Sequence, residues 1–249
     1  KRNYIIDILK KNFKNFGFSE IETPALEKTS TLLGKYGNEG DRLVFKILNS
    51  GEKVKKADIN ALNSNDLKSF SKSISEKGLR YDLTVPLARY VAQHQNDLTF
   101  PFKRFQIQTV WRADRPQHGR FQEFTQCDAD VVGNNSIVQE IELIKLYDSI
   151  FSELGFNDLV FKINHRLILR GIADYIGIEN NLNEFISIID KLDKIGSDSV
   201  VDEIKQNFQD VSISKLEKLL KNKSLSFENI SLLLKDSSLA NKGIGDLKS

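Results

Sequence analysis

Residues 104 to 133, RFQIQTVWRADRPQHGRFQEFTQCDADVVG, constrain this chain more than any other stretch. Successive strand residues point to opposite faces. Gln106, Gln108, Val110 and Arg112 therefore share one side, and Phe105, Ile107, Thr109 and Trp111 share the other. After the loop, Gln122, Phe124, Gln126, Asp128 and Asp130 alternate with Phe121, Thr125, Cys127, Ala129 and Val131. Two strands folded back on one another would thus present amides, carboxylates and an aromatic ring over one sheet surface, with an apolar back. Between them stand Arg112, Arg115 and Arg120, whose guanidinium forks match anionic oxygens bidentately. One residue at a time, an amphipathic hairpin with solvated loop arginines explains all of this. The joint pattern is less ordinary.

Composition narrows the function classes. With 249 residues, 40% of them hydrophobic, the chain can bury a sizeable core in one large or two smaller domains. Lysine plus arginine, at 36, nearly balances aspartate plus glutamate, at 34, so a net charge of +2 does not mark a general nucleic-acid binder. A single cysteine excludes an intrachain disulfide framework and a multi-cysteine zinc site, and His94, His118 and His165 lack ligand spacing. The expectation is a cytoplasmic protein without a structural metal. No apolar run is long enough to span a membrane, and no signal-peptide core follows Lys1-Arg2-Asn3. Methionine is absent altogether, so the chain reads as trimmed.

Along the chain, Tyr4, Ile5, Ile8, Leu9, Phe13 and Phe16 predict an amphipathic helix stopped by Gly17. Phe18 to Thr23 should run extended into Pro24 at a sheet edge. Leu43 to Leu48 reads as a strand, and the polar, lysine-rich residues 52 to 77 read as a surface excursion. Leu79, Tyr81, Leu83 and Val85 alternate with Arg80, Asp82 and Thr84, which predicts a strand carrying Asp82 and Thr84 on one face; Pro86 then opens a helix. Ser136 and Gln139 form a capping-box pattern before a long amphipathic helix that Gly155 ends. Leu159 to Ile163 reads as a strand, followed by a helix stopped at Gly177. All four prolines precede residue 117, and residues 178 to 249 carry Leu and Ile at helical intervals, so they read as a small helical module.

Arg112-Ala113-Asp114-Arg115-Pro116-Gln117, then Gly119-Arg120, Glu123-Phe124 and Gln126, resembles motif 2 of class II aminoacyl-tRNA synthetases in its histidyl-tRNA synthetase version. The opening helix followed by GFSEIETPALE is similar to motif 1, which in that family builds a homodimer interface. LRYDLTVPLARYVAQH resembles the segment that receives the substrate's α-amino group, and IDKLDKIG, Ile189 to Gly196, resembles the start of the family's helical insertion. The resemblance implies an α+β fold, a class II antiparallel sheet flanked by helices. It implies a catalytic core over residues 1–177 and an all-helical insertion over 178–249. It implies a histidine–tRNA ligase that activates histidine with ATP and transfers it to the 3′ end of histidine tRNA.

Residue by residue, the resemblance implies Arg112 on the α-phosphate and the substrate carboxylate as the catalytic residue. Asp114 would meet adenine, Arg120 the γ-phosphate, and Phe124 would stack on the adenine ring. Asp82, Thr84 and Gln126 would meet the ammonium of histidine, and Asp130 its imidazole, since carboxylates accept from N–H donors. Mg²⁺ would accompany ATP, held largely by phosphate and water. Lys215, Lys218, Lys221 and Lys223 could contact tRNA phosphates, although a solvated helix face explains each of them alone. Where many bacterial members carry glutamate, this chain has Asp114 and Asp130, and RYDLT stands where RPEGT is common. Motif 3 and an anticodon-binding domain do not occur in these residues, so this stretch alone is expected not to complete aminoacylation. Two competing readings remain at this point. One is a non-catalytic paralogue serving as the regulatory subunit of ATP phosphoribosyltransferase, and the other is a class II synthetase of different specificity.

Overall fold

The computed structural model describes residues 1–34, 41–115, 117–178, 180–208, 211–221 and 227–248. Pro116 and Lys223 lie outside the described residues, as does the side chain of Lys221. The fold mixes helices with small sheets, as expected, and divides into two compact units, Lys1–Leu159 and Val160–Ser249.

The first unit opens with α1 (Arg2–Asn15), ended by Gly17 at a φ of 78°, a left-handed conformation that only glycine adopts readily. β1 (Ser19–Glu20) follows and runs parallel to a later strand. β2 (Leu26–Lys28), α2 (Thr29–Leu32) and β3 (Lys46–Ile47) come next. The strand expected over Leu43 to Leu48 is thus only Lys46–Ile47. The surface excursion is more ordered than its composition suggests. It holds a 3₁₀ turn (Gly51–Lys56), α3 (Ile59–Asn63) and α4 (Leu67–Ile74). Asp58 and Asp66 cap these two helices, accepting from Ala61 N at 2.9 Å and Ser69 N at 3.1 Å.

β4 (Lys77–Leu79) pairs with β2 and β3 in an antiparallel sheet. The predicted strand over 79–85 stops there. Arg80 turns inward, donating from Nε to Thr109 O at 2.7 Å and from Nη1 to Thr23 O at 2.6 Å. α5 (Thr84–His94) already begins at Thr84. Asp82 Oδ1 accepts from Val85 N at 3.2 Å, satisfying a donor of the first helical turn, where Pro86 has no N–H to satisfy. Asp82 and Thr84 therefore sit at a helix entrance and not on a strand face.

β5 (Phe102–Trp111) and β6 (Glu123–Val132) form the expected hairpin, antiparallel through ten cross-strand pairs from Phe102 with Val132 to Trp111 with Glu123. β1 lies along the other edge of β5, so this sheet is mixed. On its apolar back, Phe105 packs with Phe13 and Phe18, and with Leu146 and Ile150 of α6 (Val138–Glu153). Phe13 and Phe105 stack at 4.7 Å. The capping box is not closed: Ser136 Oγ accepts from Val138 N at 3.4 Å, and Gln139 Oε1 has no hydrogen-bond partner among the described residues. Leu159 to Ile163 is not a strand. A strand exists by pairing its backbone, no pairing reaches this segment among the described residues, and Val160 and Ile163 are 79% and 59% exposed.

The second unit is helical: α7 (Arg166–Ile176), α8 (Leu182–Ile189), α9 (Leu192–Asn207), α10 (Ile213–Lys221), α11 (Phe227–Leu233) and α12 (Ser238–Lys248). Its core joins Ile176, Phe185, Val200, Ile204 and Leu216. α7 belongs with this unit, so the compact division falls before α7 while the expected boundary fell just after it. α12 crosses α7 so closely that a Cβ at Gly171 would lie 2.4 Å from that of Ala240. Gly196 interrupts α9 with a φ of 80° and ψ of 166°. No described helix is long and apolar enough to cross a membrane.

Candidate active site

The hairpin register decides which side chains share the polar face. Directly opposed pairs are Arg104 with Asp130, Gln106 with Asp128, Gln108 with Gln126, and Val110 with Phe124. Opposed residues project to the same side, so the polar face is a ladder running from Arg104 and Asp130 at one end to Arg112 and the loop at the other.

The two ends differ. At the hairpin's base the polar face does not look out over solvent: Arg104 and Gln106 are both 0% exposed. α5 lies near this end, since Tyr90 stacks at 6.2 Å on Phe102 at the start of the same face. Burial then demands partners. Gln106 Nε2 donates to Thr23 Oγ1 at 2.8 Å and also to Gln108 Oε1. That same Gln108 Oε1 accepts from Thr23 N and Arg80 Nη1, each at 3.0 Å. Arg104 Nη2 lies 2.5 Å from Asp130 Oδ2, an ion pair by distance whose angles miss hydrogen-bond geometry. Burial pulls the Arg104 guanidinium below its ordinary pKa, against the opposing influence of Asp130, Asp128 and Asp82. Burial likewise raises the Asp128 carboxyl, with Arg104 and Gln126 working the other way.

At the open end Arg112 is held from several directions. Nε donates to Tyr81 O at 3.2 Å and Nη2 to Gln126 Oε1 at 3.4 Å. Its guanidinium carbon stands 4.3 Å from the Tyr81 ring centroid and 5.2 Å from that of Phe124. Such cation–π contacts fix the plane of the fork without consuming its hydrogens. Gln126 Nε2 in turn donates to Asp128 Oδ1 at 3.2 Å. A continuous chain therefore links Arg112, Gln126 and Asp128, with Asp130 one step further along the strand. The loop beyond is shaped by backbone bonds: Arg112 N to Gln122 O at 2.9 Å, Ala113 N to Leu43 O at 2.8 Å, and a turn with Arg120 N on Gln117 O at 2.9 Å. Gly119, with φ 80°, makes that turn possible.

The structure thus brings together Arg112, Phe124, Gln126 and Asp130, and Asp82 lies near enough to influence both Arg104 and Asp128. Thr84 and Arg120 are exposed, and among the described residues no hydrogen bond ties their side chains to this cluster. The Asp114 carbonyl accepts from Gln122 Nε2 at 3.0 Å, which fixes the loop backbone. Sequence reading missed Arg104, Arg80, Thr23 and Tyr81. Only Arg104 carried a signal, its even-numbered parity with Gln106; the others reach the face through tertiary packing. In the helical unit Lys215 and Lys218 are both exposed; Lys215 donates to Tyr175 O at 3.0 Å and lies over that ring.

Chemically, the arrangement offers a sheet face rich in amide and carboxylate acceptors beside a preorganised guanidinium. It suits a zwitterion with an additional N–H donor, placed next to a polyanion. No group of three or more His, Cys, Asp or Glu among the described residues is set to hold a metal ion.

The family model described as histidyl-tRNA synthetase matches residues 60–244. A histidine–tRNA ligase from Christiangramia forsetii is 52% identical over 252 residues, covering 100% of this chain and 55% of the relative. One from Flavobacterium johnsoniae is 49% identical over 271 residues, covering 100% of this chain and 57% of the relative. The crystal structure of histidyl-tRNA synthetase from Nostoc sp. PCC 7120 superposes with a TM-score of 0.75 at 29% identity, over 98% of this chain and 52% of that one. The chain therefore spans a little over half the length of the curated relatives it matches.

Proposed function

The chain belongs to the histidyl-tRNA synthetase family, and from that premise we propose that it provides the histidine and ATP platform of a cytoplasmic histidine–tRNA ligase. In the proposed reaction a carboxylate oxygen of histidine attacks the α-phosphorus of ATP. Pyrophosphate leaves, and the histidyl group then passes to the 3′ end of histidine tRNA with release of AMP. The observation that carries this reading is the fixed guanidinium of Arg112, hydrogen-bonded to Gln126 on the face that also bears Asp130.

Bringing a carboxylate against a phosphate juxtaposes two anions, so positioning and charge stabilisation carry the catalysis and no protein nucleophile is needed. Arg112 would bridge the α-phosphate and the substrate carboxylate. Its existing hold on Tyr81 O and Gln126 means little reorganisation is required. Arg120 would reach the γ-phosphate from the exposed turn, Phe124 would stack on adenine, and Asp114 would meet the base edge. Asp82, Thr84 and Gln126 would receive the ammonium, and Asp130 an imidazole N–H. Mg²⁺ would arrive with ATP and neutralise its phosphates. The proposed homodimer would use α1 and the extended GFSEIETPALE segment, and Lys218 would add a phosphate contact to tRNA.

Histidine-dependent exchange between ATP and pyrophosphate, measured across the twenty amino acids with the full-length protein, tests the activation step. Exchange supported by histidine alone is expected, and exchange with another amino acid would overturn the specificity. Charging of histidine tRNA separates a ligase from a regulatory paralogue. The names of the relatives at 52% and 49% identity favour the ligase.

A further inference from the structure

The least explained side chain on the polar face is Arg104. It is wholly buried, yet Nε and Nη2 have no hydrogen-bond partner among the described residues, and Nη1 reaches only Gln106 Oε1, at 3.4 Å. A guanidinium carries five donors, and leaving several unmet in the interior is costly. Stability does not account for it. The hairpin is held by its backbone ladder, and an apolar residue of similar size is generally at least as good in such a place as a buried ion pair.

What Arg104 does touch is Asp130, its directly opposed cross-strand neighbour. The two partners are unequal. Asp130 Oδ2 is buried against the guanidinium, while the Asp130 side chain as a whole remains 36% exposed. Oδ2 is thus pinned inside, while the side chain as a whole keeps enough exposure for its other oxygen to meet a ligand. Asp128 shares the same strand face two residues away, and Asp82 is near enough to act on both Arg104 and Asp128. Crowded carboxylates repel one another, and one of them tends to take up a proton unless a cation intervenes. A carboxylate held in a fixed place keeps its oxygens as acceptors, which selects for an N–H donor.

We propose that Arg104 is a positioning residue for amino-acid recognition, holding Oδ2 of Asp130 so that Oδ1 is presented as a fixed, charged acceptor for the N–H of the substrate side chain. The proposal rests on the reading that Asp130 meets the imidazole. Arg104 itself is sealed from substrate, so its influence is exerted entirely through Asp130. It is a determinant of specificity and not a catalytic residue.

The test uses pyrophosphate exchange by the full-length protein, with KM measured separately for histidine and ATP. Arg104→Gln is expected to raise the histidine KM about tenfold to hundredfold, the fold-change of one lost charge-assisted hydrogen bond, while the ATP KM stays within about twofold. Arg104→Lys keeps a cation without the fork and should fall between wild type and Arg104→Gln; it carries the test alone if Arg104→Gln does not fold. Asp130→Ala should raise the histidine KM similarly, and adding Arg104→Lys to it should change nothing further, because residues acting as one unit are non-additive. Equal effects on both substrates, an unchanged histidine KM in Arg104→Lys, or additive effects with Asp130→Ala would overturn the proposal. Failure of the functional reading looks different: wild type itself would then show no histidine-dependent exchange.

Discussion

The two ends of the β5–β6 polar face carry the same chemistry in opposite circumstances. At the base, Arg104 and Gln106 are sealed, and Gln106 joins a network with Thr23, Gln108 and Arg80. At the tip, Arg112 is half-buried, braced by two rings and an amide, and Arg115 and Arg120 are exposed. A buried polar group is committed to the fold because losing its partner leaves a desolvated donor. A braced but accessible cation is available to a ligand. The Gln106 network is thus committed to the fold and Arg112 is open to chemistry, so substitutions at Thr23 and at Arg112 should fail in different assays, while Arg104 acts on chemistry through the partly exposed Asp130.

The largest effect is expected at the tip. Arg112→Ala should lower kcat/KM for pyrophosphate exchange by about 10²–10³, the loss typical of a preorganised transition-state partner, with the melting temperature unchanged. Should it instead unfold the protein at normal temperature, Arg112 belongs with the committed residues and the contrast between the ends disappears. Phe124→Ala removes a ring that now stands 5.2 Å from the Arg112 guanidinium. If that ring also stacks on adenine, the ATP KM should rise by about the 1–3 kcal/mol of one base–aromatic contact, with the histidine KM little altered. Parallel rises in both constants would mean that Phe124 serves chiefly to brace Arg112.

How much of this was legible beforehand follows the same contrast. Alternation in residues 104 to 133 revealed the hairpin and the faces, because a period of two is imposed locally by the backbone. It could not reveal what covers each face, so the base was read as open although α5 lies near it. Thr23 reaches Gln106 and Gln108 from 83 and 85 positions away in sequence, Arg80 reaches Gln108 from 28, and nothing local announces such partners. Local chemistry also misled where two readings shared a pattern. Leu79 to Val85 alternates like a strand, but the Asp82 carboxylate and Pro86 start a helix there. Val160, Phe161 and Ile163 have strand-forming side chains, yet no pairing forms over them among the described residues. The roles of Arg112, Arg120 and Phe124 came from resemblance; the geometry adds that Arg112 is already braced.

In the network around Gln106 the expected failure is in stability. Thr23→Val keeps the shape but removes the hydroxyl that accepts from Gln106 Nε2 at 2.8 Å inside the sealed region. Chemical denaturation should show a loss of about 1–3 kcal/mol, the cost of an unmet buried donor, with both KM values near wild type. A neutral result would imply that Gln108 Oε1 alone satisfies Gln106, and the base would be less committed than its burial suggests.

The smallest effect, and the finest probe of the boundary between the ends, lies at Asp128. Burial raises its carboxyl pKa, opposed by Arg104 and by the hydrogen bond from Gln126, and reinforced by the charges of Asp130 and Asp82. An acid that binds its proton more tightly when folded contributes less stability as pH rises through its folded pKa. Ionised Asp128 is therefore a net burden at neutral pH; the burden fades as pH falls through the raised folded pKa and is gone below the ordinary aspartate value of 3.8. Asp128→Asn keeps an oxygen to accept from Gln126 while removing the charge. Its melting temperature should exceed that of wild type modestly at pH 7, and the two should converge in acid. If the variant instead melts lower at pH 7, the attraction of Arg104 outweighs the burial of Asp128. The sealed guanidinium would then be holding two carboxylates and not Asp130 alone.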